Sequence, residues 1–336
     1  MGAMTDLVAI AADVPWPDSD AERDARQRGR ADLGRLDELA QWLSGVQGAY
    51  PPNDLQRARA VIFAGDHGIA EAGVSASEPG ATALWVAETA GGAGLVNVLA
   101  DLAGAGVRVV DIAVDDDTTP EYRVRRSSGR IDREDALAPD EALAAIDMGV
   151  RVADEEIDGG ADLLVAGQLG VGATTAAAVL VSVATNTEPV KVVGCGSGID
   201  DDTWMRKATA VRDARLRAWT HWATSIDLLA SAAGADIAAI TGFLIRAASR
   251  RTPVLLDGVV VAAAALVAQE LQPRCVRWWR VGQRTSEPAQ AIALRRLGLE
   301  PLVDLRVNTG DGSGALLALP LLRAAARATR ALAADD

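Results

Sequence analysis

The chain has 336 residues, 49% of them apolar, enough for one large α/β domain or a domain with a smaller companion. Its 33 basic against 46 acidic residues give a net charge of −13, which disfavours nucleic acid or an anionic membrane as partner, since both need a basic footprint. Two cysteines, Cys195 and Cys275, and two histidines make neither a disulfide framework nor a structural zinc site, and fit a reducing cytoplasm. No signal peptide and no apolar run of membrane-spanning length is expected.

Met1-Gly2-Ala3 before Met4 reads as a vector remnant, and residues 4–22, interrupted by Pro15 and Pro17, as a loose start. Residues 21–46 carry Leu33, Leu36, Leu39 and Leu43 at three- and four-residue spacing, one apolar stripe of a helix. Residues 59–63 form a predicted strand running into Gly65-Asp66-His67-Gly68. Residues 82–102 read as a helix in which Gly91, Gly92 and Gly94 permit close packing or a break. A strand over 107–114 follows, then a charged surface segment, 123–134, and a helix over 139–157 with Pro139 in its first turn. Further predicted strands are 162–166, 190–193, 253–256, 276–281 and 301–305, the first three each followed by a glycine-bearing loop and a helix. A long Ala/Leu helix ends near Ala333.

Strands alternating with helices predict an α/β fold: a doubly wound, mainly parallel sheet with helices on both faces. The expected organisation is residues 1–20 as remnant and loose terminus, 21–50 with 313–336 as a small helical lobe, and 51–312 as the nucleotide-binding domain. Ligands of such sheets bind beyond the strand carboxyl ends, where the glycine loops fall.

Gly167-Gln168-Leu169-Gly170-Val171-Gly172-Ala173-Thr174-Thr175 follows a strand and opens a helix, so its amides suit a phosphate; a capped tight turn explains it about as well. It lacks the lysine of a Walker loop. Gly194-Cys195-Gly196-Ser197-Gly198 repeats the arrangement, with Lys207 one or two turns into the next helix; a solvated lysine is its ordinary alternative. Arg284-Thr285-Ser286-Glu287 offers hydroxyls and charge for phosphate or ribose. Asp66-His67 reads as a buried, satisfied turn, and His221, between Trp219 and Trp222, as packing. Asp311, flanked by Gly310 and Gly312 at a helix mouth, is either a helix cap or a base aimed into a cleft. Together these features suggest a phosphate-bearing nucleotide with an acid/base partner.

In combination and order the motifs resemble the nicotinate-nucleotide–dimethylbenzimidazole phosphoribosyltransferase family. The matching pieces include F-A-G-D-H-G-I-A at 63–70, G-Q-L-G-V-G-A-T-T at 167–175, G-C-G-S-G-I-D-D at 194–201, P-V-L-L-D-G at 253–258, R-T-S-E-P at 284–288 and G-D-G-S-G-A-L-L-A-L-P at 310–320. The resemblance runs from about Ala31 to the end. It implies a homodimer that moves the phosphoribosyl group of nicotinate mononucleotide to a benzimidazole nitrogen with inversion, without metal or cofactor. It places Asp311 on the family's base, with Gln168 and Lys207 as further catalytic residues. Gly170, Gly172, Thr174, Gly196, Gly198, Lys207 and Thr285 fall on or beside the phosphate- and ribose-holding loops, and Ser75, Leu84 and Leu169 on the acceptor pocket.

The departures cluster at the acceptor and base end. Asp311 and Gln168 stand where the family pattern has glutamate, Ala173 where it has asparagine, Leu84 and Trp85 in the acceptor helix, and Gln283 and Gln290 where it has histidines. Two readings follow: a working transferase with Asp311 as base and an aromatic N-heterocycle as acceptor, dimethylbenzimidazole by default, or a catalytically silent nucleotide-binding homologue acting as sensor or partner subunit.

Overall fold

Six short apolar runs form one parallel sheet: β1 (Ala58–Gly65), β2 (Gly106–Ala113), β3 (Leu163–Leu169), β4 (Val254–Leu256), β5 (Trp279–Gln283) and β6 (Pro301–Val303), in the order β2-β1-β3-β4-β5-β6. β1 and β3 are buried along almost their whole length, as strands covered on both faces must be. The order reverses between β1 and β3, a topological switch point. The computed structural model describes residues 7–29, 31–78, 80–221 and 223–334.

The helices in chain order are α1 (Leu7–Ala12), α2 (Ser19–Arg28), α3 (Arg35–Gln47), α4 (Ala81–Ala90), α5 (Leu95–Ala103), α6 (Pro139–Asp158), α7 (Ala173–Ala184), α8 (Pro189–Val192), α9 (Asp201–His221), α10 (Ser225–Ala232), α11 (Ala235–Ser249), α12 (Gly258–Leu271), α13 (Pro288–Leu297), α14 (Ser313–Leu316) and α15 (Leu319–Ala333).

Strand pleating sorts what covers each face. Side chains alternate along a strand, so positions 61, 63 and 65 of β1 share one face and 60, 62 and 64 the other. Phe63 packs edge-on against Phe243 of α11, ring centroids 5.2 Å apart, and Gly65 lies under Asp236 of the same helix. Ala60 instead lies beneath Gly312. One face of the sheet's centre is therefore covered by α11, and the other by the turn that carries Asp311.

Several sequence expectations are corrected. Residues 190–193 are not a strand: Pro189 begins the short helix α8, and β3 pairs directly with β4, leaving no place for a strand between them. The helix expected over 21–46 is two helices, parted at Gly29 and at Gly34, whose φ of +54° a side chain would oppose. The helix over 82–102 likewise breaks at Gly91–Gly94. The whole stretch Ala81–Ala103 passes a length-and-composition test for a membrane span, contrary to expectation, but α4 and α5 have only 10 and 9 residues, each too short to cross one. β5 starts at Trp279, after a 3-10 turn over Pro273–Trp278.

The expected loose start is ordered from Leu7: Val14 is fully buried, and Gln272, Arg274 and Trp278 donate side-chain hydrogen bonds to the carbonyls of Ala11, Val14 and Pro15. The remnant Met1–Ala3 lies outside the described residues, as do Trp222 and the His221 side chain. α3 packs on α2 and α15, whereas α14 packs on the sheet and α5. The Asn308–Pro320 stretch thus bends through α14 before the last helix begins at Leu319.

Candidate active site

A cavity opens at the carboxyl ends of β3, β4, β5 and β6. Its wall is the loop 168–172, Gly196 and Ser197, the start of α12, Thr285 and Glu287, and Asn308–Gly310, with Ser75, Ser77 and Trp85 closing the remaining side. The segments 168–172, 285–287 and 308–310 end or follow strands and the start of α12 opens a helix, whereas Gly196 and Ser197 lie in the loop between α8 and α9.

At one end stands Lys207, 1% exposed, on α9. Its Nζ donates to Thr174 Oγ1 at 3.0 Å, its one hydrogen bond among the described residues. An ammonium has three donors, so two remain for a ligand. Burial pushes its pKa down, opposed by Glu287 and Cys195. A Cβ at Gly196, whose φ is +50°, would lie 2.9 Å from Nζ, so a side chain there would be strained and would crowd the lysine. Gly196 N donates to Glu287 Oε1 at 2.7 Å, and Glu287 sits at the N-cap position of α13 without a side-chain capping bond. Thr285 is fixed by Gln290, whose Oε1 accepts from Thr285 N at 2.7 Å and from its Oγ1 at 2.9 Å. Ser197 Oγ accepts from Ala76 N at 2.9 Å and lies 3.2 Å from Ser75 Oγ, tying the Ser75 loop to the Gly196 loop.

At the other end Asn308, Thr309 and Gly310 line the cavity, and Asp311, 7% exposed, stands just behind them. Asp311 Oδ1 accepts from Ser313 N at 3.0 Å, capping the next turn; its Oδ2 accepts no hydrogen bond among the described residues. Asp257, at the end of β4, supports the same turn: its Oδ2 accepts from Gly312 N at 3.0 Å and from Gly314 N at 3.2 Å. Its pKa is pushed up to about 7, first by burial and then by the charge of Asp311, against the hydrogen bonds it accepts. Gln283 Nε2 donates to Val307 O at 2.7 Å, and Gln290 Nε2 donates to Gln283 O at 3.2 Å, so the acid turn and the Thr285 loop share one network.

The family model described as a phosphoribosyltransferase matches residues 16–336. The nicotinate-nucleotide–dimethylbenzimidazole phosphoribosyltransferase of Mycobacterium ulcerans is 53% identical over 317 residues, covering 93% of this chain and 88% of that protein. The protein of the same name from Mycobacterium tuberculosis is 52% identical over 332 residues, covering 96% and 92%. The crystal structure of CobT from Thermus thermophilus superposes with a TM-score of 0.89 at 34% identity, covering 93% of this chain and 96% of that one. The chain belongs to the nicotinate-nucleotide–dimethylbenzimidazole phosphoribosyltransferase family. It is a phosphoribosyltransferase, a pentosyltransferase by class.

Within this family fold, most residues expected from the sequence come together. Ser75, Gln168, Leu169, Gly170, Gly172, Thr174, Gly196 and Thr285 all line the cavity, and Lys207 reaches it through Thr174. Gly198 does not line it, and a Cβ there would meet nothing within 4 Å, although its φ of +90° still favours glycine. Leu84 is not on the wall either. It is 67% exposed, and its neighbour Trp85 lines the cavity instead, as two successive residues of a helix must point in different directions. Gln168 faces away from Asp311: its Nε2 donates to Asp236 Oδ2 at 2.8 Å, where His67 Nε2 also lies, 3.1 Å away. Burial alone would lower the His67 pKa; Asp236, aided by Asp66, more than offsets this and raises it. Asp66 accepts from Thr82 Oγ1 and Asp115 N and is satisfied, as its sequence suggested, whereas His67 Nδ1 and Asp236 Oδ1 are buried without a hydrogen-bond partner among the described residues.

Sequence reasoning missed Asp257, Asp236 and Asn308 as parts of the site, and saw Ser197 and Glu287 only as members of loops. Asp257 carried a usable signal: a carboxylate directly before glycine at a strand's carboxyl end. Asp236 carried none, because it lies on a helix far away in sequence.

Proposed function

We propose that this chain transfers the 5-phosphoribosyl group of nicotinate mononucleotide to a nitrogen of an aromatic heterocycle, dimethylbenzimidazole by default, releasing nicotinate and an α-riboside phosphate. The observation that carries this reading is one cavity with a buried, under-coordinated Lys207 at one end and the Asp311 turn at the other. Lys207, Thr174 and the amides around Gly172 and Gly196 hold the phosphate, and Thr285 the ribose, which fixes the anomeric carbon. Ser75, Leu169 and Trp85 bound the acceptor ring.

The acceptor's unprotonated ring nitrogen attacks C1′, and the bond from C1′ to nicotinate breaks with its electron pair going to the pyridinium nitrogen. Nicotinate therefore leaves without needing a proton. The acceptor's N–H proton passes to Asp311, whose Oδ2 is the oxygen left free by capping. Cap and base are thus compatible roles of one side chain. Gln168 acts by holding Asp236 and the loop it belongs to rather than by touching the acceptor.

The assembly is a homodimer. Its support is an apolar face on α4 and α5, where Leu84, Leu95, Val98 and Leu102 are each more than half exposed, next to Trp85 at the cavity. A second copy covering that face brings Leu84 close to the acceptor side without its lining the wall of its own chain.

The test is incubation with nicotinate mononucleotide and a panel of benzimidazoles, purines and phenols, following nicotinate release. Release with a benzimidazole supports the reading. Folded protein that binds the nucleotide and releases nothing with any acceptor overturns it and leaves the silent homologue.

A further inference from the structure

Asp257 is a buried carboxylate to which the reaction as written gives no part. It follows β4 directly, and its Oδ2 accepts from two amides of the acid turn, Gly312 N and Gly314 N, while Ser313 N between them donates to Asp311. The fit is close on both sides: a Cβ at Gly258 would lie 2.8 Å from Gly310 Cα, and one at Gly167 would lie 2.4 Å from the carbonyl carbon of Asp311. The turn is thus clamped between β3 and β4, and Asp257 is the side chain that holds it. Among the described residues, the charged group bearing on Asp257 is Asp311; its other neighbours are neutral, Gln283 from β5 and the two amides. The two buried acids bear on one another with no basic side chain among the described residues acting on Asp257.

We propose that Asp257 is the positioning and tuning partner of Asp311: it fixes the acid turn through the Gly312 and Gly314 amides, and its charge state decides how readily the pair accepts the acceptor ring's proton. The inference rests on the transfer reaction above, with Asp311 as base. The N–H bond pair stays on the ring as the proton moves to Asp311, and the pair passes from two charges to one. A doubly ionised pair takes that proton more readily than one already holding a proton, because like charges confined together oppose joint ionisation. When product leaves, the proton is lost to water.

The experiment is the pH profile, between 5.5 and 8.5, of kcat/KM for nicotinate mononucleotide at saturating dimethylbenzimidazole, for the wild type and Asp257→Asn. Asparagine keeps an oxygen for the two amides but carries no charge. The wild type is expected to gain activity with a limb near neutrality. Asp257→Asn is expected to lose that limb, fall about tenfold or more at pH 8 and keep its nucleotide affinity within about twofold. An unchanged limb in the variant, or an equal loss at every pH, overturns the proposal, since either is what a merely structural residue gives. A second measurement needs no turnover. Carboxyl carbon NMR of the wild type should show one acid titrating near neutrality that moves down in Asp311→Asn. Absence of that titration, or no movement, overturns the pairing even when no acceptor is found, so its failure is distinct from failure of the transfer reaction.

Discussion

Gln168 Nε2 donates to Asp236 Oδ2 at 2.8 Å, on the face of β3 opposite the one that meets Asp311. Its own backbone N–H nevertheless donates to Gly310 O at 2.9 Å, so one residue ties the acid turn with its main chain and α11 with its side chain. The side chains of Gln168 and Asp311, the two expected departures from the family pattern, therefore act on different groups. Replacing Gln168 by glutamate places a second acid on Asp236, which His67 must neutralise. Gln168→Glu is expected to lower the melting temperature more at pH 8 than at pH 6, since the cluster then needs a proton that is scarcer at the higher pH. Equal shifts at both pH values contradict this role for the cluster.

Lys207 is expected to govern the nucleotide rather than the acceptor. Removing one charge-assisted bond to phosphate costs about 1.5–3 kcal/mol, or roughly a ten- to hundredfold loss in affinity. Lys207→Met should show that loss by calorimetry with nicotinate mononucleotide, while melting at or above the wild-type temperature, because a desolvated ammonium is removed from the interior. A variant with wild-type affinity contradicts the placement of the phosphate.

Gly167 should not accept even a methyl group. The atoms in the way are backbone, the Asp311 carbonyl and Gly312 N at 2.4–2.6 Å, so the strand or the acid turn must move. Gly167→Ala is expected to cost about 1–3 kcal/mol of stability in denaturant titration and to lower turnover more than nucleotide binding. Loss of binding with turnover intact runs against the geometry.

The pH dependence of stability has a definite sign. Asp257 is raised from 3.8 to about 7 in the folded chain, so between these values the folded state binds the extra proton, and stability falls as pH rises through that window. His67 is raised above 6.5 and acts in the same direction: its contribution is complete below 6.5 and is lost as pH rises through its folded value. The melting temperature should therefore drop from pH 5 to pH 8, and Asp257→Asn should flatten much of that slope and melt higher than the wild type at pH 8. A melting temperature that rises over this range contradicts the buried pair.

Much of this was legible in the sequence where residues act through local order. The run from Ala58 to Gly65 ends in glycine and Asp66, and the run from Leu163 to Leu169 passes into Gly170 and Gly172; both announce strand ends that bear a site. Lys207 was legible because it follows its glycine loop on one helix. The segment 190–193 was misread because Val190, Val192 and Val193 favour strands, while Pro189 and the direct pairing of β3 with β4 decide otherwise. Leu84 is off its own chain's cavity wall because the adjacent helix position, Trp85, is the one that points there. Asp236 and the direction of Gln168 were not legible, because they depend on which face of β3 meets α11, and that is fixed only when the sheet assembles.

Asp311, free at Oδ2, as the base of a phosphoribosyl transfer is the step on which the rest depends. The decisive measurement is the single-turnover rate of nicotinate release from nicotinate mononucleotide with dimethylbenzimidazole, in the wild type and in Asp311→Asn. Asparagine can still accept the Ser313 N–H bond, so the cap survives while the base is removed. A fall of roughly 10²–10⁴ is expected, with nucleotide affinity kept. A variant that releases nicotinate at the wild-type rate contradicts the assignment of Asp311 as base.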